Sequence, residues 1–492
     1  MHLPETHWEV LKREVIDTGL CTRCGSCVGV CPAAALAVSD EMGECLPGLI
    51  GDCKPCAGEC AMSCPGQYVD FPALNLALHG RQPESCLLGN YRRLYIAHAA
   101  DETIRSAGAS GGIITSAVKH LFDAGRIEGA YVMGMDSRRP YFPRSFLARN
   151  AGEAQSAAQS KYTVSLHNAG LASVEGAGGH LAYVGLPCQV HSLRKLQQAG
   201  HAAARRFRYV LGIYCGNIMH FSSTEAFLRK EGVRDLSTVV RLEFRAGKWP
   251  GNMRVELQGG RVIEMPKFHA NYLIPFHIMK RCLLCADLTN EFADISGGDA
   301  WAPVYEERGE GFSVMIVRTP RGRQITDEMI RQGKLAARTI GYDEIVAMHS
   351  HGLDLKKRGV FIRISRRAGR GRRVPQYGFA LESSVSLSRR LMDWVMDIVF
   401  RMCWSATGKR LIRLVPNRLL GPTFQGTRRW WKGVTRTTKR GGLGTLRFAI
   451  DPPGDRASAD WRALGRDPSG VFYEEADSGG TAADQTASRV EP

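Results

Sequence analysis

Two runs of cysteine stand near the amino terminus. Residues 21–32 read CTRCGSCVGVCP, which places Cys21, Cys24, Cys27 and Cys31 in a C-x2-C-x2-C-x3-C-P pattern. Residues 53–65 read CKPCAGECAMSCP, with Cys53, Cys56, Cys60 and Cys64 and a longer middle gap. Gaps this short let one tight loop wrap its thiolates around the face of a cubane while loop N–H groups point at the sulfurs. This is the bacterial ferredoxin spacing, in which the fourth cysteine of each run ligates the other cluster. By that logic Cys21, Cys24, Cys27 and Cys64 hold one 4Fe–4S cluster, and Cys53, Cys56, Cys60 and Cys31 hold a second. CxxC pairs also bind zinc tetrahedrally, but the C-P that closes both runs favours iron–sulfur. Cys45 and Cys86 fall outside the pattern and are read as unligated.

Four more thiols lie far downstream. In LAYVGLPCQVHSLRKLQQAG, residues 181–200, Cys188 follows a proline between a buried strand (181–185) and a helix (191–198). FRYVLGIYCGN, residues 207–217, reads as a second strand ending at Cys215. The interval suits one strand–helix–strand unit, whose parallel strands end on the same sheet edge, where open α/β sheets bind ligands. KRCLLC, residues 280–285, adds Cys282 and Cys285. Spacing alone leaves these four open between a metal or cluster site and packed core thiols. A small-residue loop, Ala109-Ser110-Gly111-Gly112, opens a helix over about 113–123 with Gly125 as its cap, and a strand follows at about 129–134. Free N–H groups at such a helix start suit a phosphate or a flavin edge, and a tight turn against a sheet suits the same residues. Lys161 and Tyr162, taken alone, carry no signal.

The elements that must position these groups fit an α/β (α+β overall) chain of 492 residues with ordinary hydrophobic content, 44%. Fifteen cysteines in a chain whose first residues show no signal peptide point to metal or redox chemistry in a reducing cytoplasm. The net charge of +17 is uneven: residues 351–450 carry 23 Lys and Arg against 4 Asp and Glu. The basicity belongs to the carboxy-terminal part and not to the thiol-bearing part.

In this order, Ala109–Gly112, Ser160-Lys161-Tyr162, Gly185-Leu186-Pro187-Cys188-Gln189, Tyr214-Cys215-Gly216-Asn217, Phe244–Trp249, Cys282–Cys285 and Ala293–Trp301 resemble the coenzyme F420 hydrogenase/dehydrogenase beta subunit family. The resemblance implies an FAD in the α/β domain beside a third 4Fe–4S cluster, held by Cys188, Cys215, Cys282 and Cys285. It implies flavin contacts from Ser110, Gly111, Gly112, Lys161 and Tyr162, with Asp299 near the same site. It divides the chain into a ferredoxin-like module of two 4Fe–4S clusters (12–70), the two halves of the family domain (90–175 and 176–345), a basic, partly helical extension (346–450) and a disordered acidic tail (451–492).

The function expected is an oxidoreductase that takes electrons from ferredoxin or another low-potential redox partner and passes them through the clusters and FAD to a small organic acceptor, coenzyme F420 or another unsaturated compound. The alternatives are an electron-transfer beta subunit with no substrate of its own and a ferredoxin-dependent reductase of chlorophyll-type pigments. A zinc protein that keeps only the fold is a third. Within residues 356–440, KKRGVFIRISRRAGRGRR, LMDWVMDIVFRMCW and RRWWKGVTRTTKR combine cations, tryptophans and an amphipathic pattern. They are candidates for a peripheral membrane contact, for a solvated or partner-docking tail and, least of all, for nucleic acid. The sequence names no general acid.

Overall fold

The computed structural model describes residues 5–451. All but the first residue of the expected acidic tail lies outside the described residues. In chain order the strands of the two larger sheets are β1 (Arg93–Ala99), β2 (Gly129–Met135), β3 (Pro143–Ala148), β4 (Leu181–Gly185), β5 (Phe207–Ile213), β6 (Val239–Ala246), β7 (Asn252–Leu257), β8 (Val262–Pro266), β9 (Ile295–Asp299), β10 (Ser313–Val317) and β11 (Leu335–Thr339). Strands β6–β8 form a separate antiparallel sheet, and the other eight lie side by side in the order β11-β1-β10-β9-β5-β4-β2-β3. The centre, β2-β4-β5-β9, is parallel, and the strands outside it pair antiparallel.

Parallel strands covered on both faces need continuous apolar runs, and LAYVG and FRYVLGI supply them. On one face, helix α1 (Ile113–Asp123) sets Ile113, Ala117 and Leu121 over Ala182, Tyr209 and Leu211. On the other, helix α2 (Pro187–Gln198) sets Val190 and Leu193 into a core with Tyr183, Phe71 and Phe292. Helix α2 begins earlier than its periodicity suggested. Pro187 is its first residue, where the missing N–H is harmless and the fixed φ is already helical. The proline therefore starts a helix rather than merely ending a strand, and Cys188 sits in the first helical turn. Strand β5 stops at Ile213, before Cys215.

The carboxy-terminal part is helical: α3 (Tyr342–Leu353), α4 (Gly359–Ala368), α5 (Leu387–Trp404), α6 (Ala406–Leu414) and α7 (Asn417–Arg440). The boundary expected at 345/346 falls inside α3. The first part of the basic run, 356–363, is not a solvated or membrane-facing stretch, whereas Arg370, Arg372 and Arg373 are exposed. Lys356, Lys357, Arg358 and Arg363 are buried. Lys357 pairs with Glu291, Arg358 with Asp354 at 2.6 Å, and Arg363 with Asp393 at 2.6 Å, while Arg389 joins Asp354 at 2.7 Å. Buried charges persist when paired in this way, so these four cations are interior framework. Among the described residues no helix is long and apolar enough to cross a membrane.

Candidate functional site: three thiol groups and a large cavity

The structure sorts twelve cysteines into three groups. A small cavity of about 20 Å³ is lined by Cys21, Cys24, Cys27 and Cys64. Burial, and then the neighbouring sulfurs Cys21, Cys24 and Cys64, push the Cys27 thiol well above its ordinary value. Cys60 is pushed up to about 12, first by burial and then by Cys56, Cys31 and Cys53. Cys31 thus crosses to the second run and Cys64 to the first. Cys188 is raised well above its ordinary value by burial and by the charges of Cys24, Cys215, Cys285 and Cys282. Among the described residues no three His, Cys, Asp or Glu side chains converge tightly enough for a single metal ion; tetrahedral zinc would need its sulfurs about 2.3 Å from one point. Backbone N–H groups already point at sulfur, from Gly58 to Cys56 at 3.4 Å and from Gly66 to Cys64 at 3.3 Å. Cys45 is a packed core thiol, raised to about 12 by burial.

The groups are joined by buried polar contacts. Asn168 donates its backbone N–H to the Cys24 carbonyl at 2.8 Å and its amide to Ser26 at 2.8 Å and to the Gln189 carbonyl at 3.1 Å. Ser192 of α2 donates to Ser26 at 2.5 Å. The first cysteine loop is thus tied to the helix that carries Cys188. Gly29 shows how close this approach is, because a Cβ there would meet the Asn168 oxygen at 2.0 Å. Three cations, Lys195 half-buried and Arg281 and Lys356 buried, follow the same line. Lys195 donates to the Cys64 carbonyl at 2.6 Å. Arg281 donates to the Leu20 and Gly66 carbonyls at 3.0 and 2.9 Å and lies within electrostatic reach of Cys188 and Cys285. Lys356, 1% exposed, donates to the Cys282 carbonyl at 3.0 Å and faces Cys285, Cys282 and Cys215.

The third thiol group opens, through Cys215, onto a cavity of about 1450 Å³ at the C-terminal edge of the parallel strands. Single ligands usually occupy roughly 300–1,000 Å³, so this one has room for two planar molecules. Ser110, Gly112, Lys161, Tyr162 and Asp299 all line it. Gly111 does not; it packs on β1, where a Cβ would meet the Ala97 oxygen at 2.6 Å. Gly112, at φ +70, turns the chain into α1, whose first N–H groups have no side-chain cap. Ser110 donates to the Phe312 carbonyl at 2.7 Å. Lys161 spends all three N–H bonds on the carbonyls of Ala157, Ala158 and Gln159, at 2.6, 2.7 and 3.2 Å, so its ammonium pins the loop beside the cavity. Burial pushes it down to about 7.

Asp299 is held by a partner far away in sequence. Arg245 donates to it at 2.9 Å and the Trp249 indole at 2.8 Å. Burial raises this carboxyl, but Arg245 and Lys267 outweigh burial and hold it well below the carboxylate range. Arg245 also donates to the Tyr162 hydroxyl at 3.0 Å. Burial would raise that phenol, yet Lys267 and Arg245 bring it below its ordinary value. Trp249 and Trp301 pack at 4.9 Å, with the Lys267 ammonium 4.5 Å from the Trp301 ring centre. Arg245, Trp249, Lys267, Trp301 and His349 carried no individual signal in the sequence; Arg245 and Trp249 lie in the family-like stretch 244–249 and Trp301 in the stretch 293–301. His349 presents an unpartnered, buried Nε2 and is pushed down to about 4 by burial.

Ferredoxin-type cysteine runs tied to a mixed sheet with a cavity at its strand ends define a class of iron–sulfur α/β proteins. Residues 94–172 and 178–342 match the models for the N-terminal and C-terminal regions of the coenzyme F420 hydrogenase/dehydrogenase beta subunit, and residues 14–37 match a 4Fe-4S binding domain. The chain belongs to the coenzyme F420 hydrogenase/dehydrogenase beta subunit family, with a 4Fe-4S binding domain in front. It is 29% identical over 327 residues to a coenzyme F420-dependent sulfite reductase of Methanocaldococcus jannaschii, covering 63% of this chain and 46% of that protein. The chain therefore spans less than half of that relative's length. It is 26% identical over 252 residues to the coenzyme F420 hydrogenase subunit beta of Methanothermobacter thermautotrophicus, covering 50% of this chain and 84% of that one. A chain of the F420-reducing NiFe hydrogenase complex from Methanosarcina barkeri superposes with a TM-score of 0.46 at 21% identity, over 57% of this chain and 96% of that one.

Proposed function

We propose that this chain is an iron–sulfur flavoprotein oxidoreductase that carries electrons from a low-potential donor to an organic acceptor, coenzyme F420 or another unsaturated compound. The observation that carries the reading is the line of three thiol groups, the one on Cys21, Cys24, Cys27 and Cys64 lying between the other two, joined to the third through Cys24 and Cys188, and the third opening on the cavity through Cys215. Bound 4Fe–4S clusters would supply one-electron transfer and a bound FAD would collect two electrons for hydride-type chemistry. In the ligand sets proposed, Cys21, Cys24, Cys27 and Cys64 form one site, Cys31, Cys53, Cys56 and Cys60 another, and Cys188, Cys215, Cys282 and Cys285 the third. The cavity about Cys21 and the crossing of Cys31 and Cys64 support the first two. Mutual proximity of the last four supports the third.

The chain's own side chains do the rest. Asn168, Ser26 and Ser192 fix the first cysteine loop on α2. Gly112 and the α1 N-terminus offer N–H donors to a flavin, and the Ser110 hydroxyl, whose proton goes to the Phe312 carbonyl, can accept beside them. Gly111 and Lys161 act on that loop and its neighbour from behind. Trp249, Trp301 and Phe268 shield the far wall from water. Tyr162, kept acidic by Lys267 and Arg245, is the candidate proton donor at the cavity edge.

A second reading, a relay subunit with no substrate of its own, draws on the relative named as a hydrogenase beta subunit. Anaerobic assay of the purified, reconstituted chain with coenzyme F420 separates the two. Steady turnover by the isolated chain supports the enzyme, and slow or absent turnover that a partner restores supports the relay. What supports the membrane contact proposed for residues 356–440 is the set of exposed apolar side chains on α5, α6 and α7, among them Leu387, Met402, Leu411, Leu414 and Trp430, which stand among exposed cations.

A further inference from the structure

Helix α7 lies beyond the residues matched by the family models, yet it forms one wall of the large cavity. Its inward stripe, Phe424, Arg428, Lys432, Thr435 and Lys439, has helical spacing. An amphipathic helix turns an apolar stripe inward; this one turns three cations inward. Arg428 and Lys439 meet rings rather than carboxylates, Phe268 at 5.5 Å and the neighbouring Trp431 at 5.9 Å. Lys439 is 8% exposed. Of the acids on the cavity wall, Asp299 is taken by Arg245 and Asp354 by Arg358 and Arg389, which leaves Glu306 to face the cation stripe.

Like charges gathered in a concave, partly dry wall without matching acids raise the free energy of the ligand-free chain. Burial and then the surrounding cations pull Lys432 down to about 8, with Glu306 opposing. Lys439 is pulled to about 8 by burial first, with Arg389 adding and Asp354 opposing. A concave cationic wall in a ligand cavity is what oxyanions bind.

We propose that Arg428, Lys432 and Lys439 form a subsite for the oxyanion groups, phosphate or carboxylate, of a polyanionic ligand lying along the cavity. Two sources share that chemistry: the pyrophosphate of a bound flavin dinucleotide and the charged end of the acceptor. The inference rests on the proposed function only in placing its ligand in the same cavity, and its failure would leave iron and flavin contents untouched.

The test uses the full chain, with and without FAD loaded, titrated calorimetrically with inorganic tripolyphosphate. Wild type is expected to bind, and Lys432→Gln with Lys439→Gln is expected to weaken binding at least tenfold, whereas Lys432→Arg with Lys439→Arg retains it. Binding that persists after FAD is loaded assigns the subsite to the acceptor. Binding that FAD blocks assigns it to the flavin pyrophosphate, and either result supports the subsite. The ligand-free glutamine variant should melt no lower than wild type, because it relieves repulsion. Equal tripolyphosphate binding by wild type and the glutamine variant overturns the proposal. So does a fall of several degrees in the ligand-free melt, which would make the lysines structural.

Discussion

Lys356 offers the sharpest handle on the third thiol group. It is buried, and its three sulfur neighbours Cys285, Cys282 and Cys215 raise its affinity for a proton against the opposing effect of burial. A fixed positive charge there favours every electron added nearby. At roughly 6 Å and an effective dielectric constant of about 20, the Coulomb interaction is about 2.8 kcal/mol. Converted at about 59 mV per tenfold, or per 1.36 kcal/mol, for one electron, this is about 120 mV. Lys356→Met should therefore lower the reduction potential of the cluster proposed on Cys188, Cys215, Cys282 and Cys285 by on the order of 100 mV. Lys356→Arg keeps the charge and should stay close to wild type. The assay is a redox titration of reconstituted protein followed by electron paramagnetic resonance, which reads the cluster and not turnover. A methionine variant with full iron content and a potential within about 20 mV of wild type would refute the reasoning.

Two further outcomes follow from the framework. Gly112→Ala forces a Cβ to 2.8 Å from the Ile104 oxygen at φ +70, whereas Gly125→Ala, at φ +62, meets nothing within 4 Å. Chemical denaturation should show a loss of about 1–2 kcal/mol at Gly125 and clearly more at Gly112, with retention of the proposed flavin falling only at Gly112. His167, fully buried between Tyr131 and Tyr183, is pulled down to about 3 by burial. The unfolded chain then binds the extra proton between about pH 3 and 6.5, so stability is lost as pH falls through that window, by up to about 1.4 kcal/mol per unit. His167→Phe should flatten the pH dependence of the denaturation midpoint between pH 4 and 6 by about one proton's worth.

Much of this was legible in the chain itself. Strand β4 matches its expected span, and helix α1 and strand β2 match theirs to within a residue, because apolar periodicity and glycine caps are local signals. The parallel pairing of β4 and β5 followed from the length between them. The carboxy-terminal part was misread because a run such as KKRGVFIRISRR looks solvated until its partners are known, and Glu291 and Asp393 come from distant segments. A local clue existed: Asp354 and Arg358, and Arg389 and Asp393, stand four residues apart, as paired charges on helices do. The roles of Lys161 and Asp299 were hidden for a related reason. The family resemblance, not their types, suggested ligand contact; in the fold both line the cavity, with Lys161 bonded to backbone carbonyls and Asp299 to an arginine near the end of β6.

The central claim is that Cys188, Cys215, Cys282 and Cys285 hold a cluster beside a flavin cavity, in series with the two amino-terminal sites. Iron, sulfide and flavin counts on anaerobically reconstituted wild type and Cys188→Ala test it most directly. The account predicts about twelve irons and a bound flavin in wild type, and about eight irons in the variant, with the two amino-terminal clusters intact. An unchanged iron count in Cys188→Ala, or wild type with fewer than about eight irons and no flavin, would contradict it.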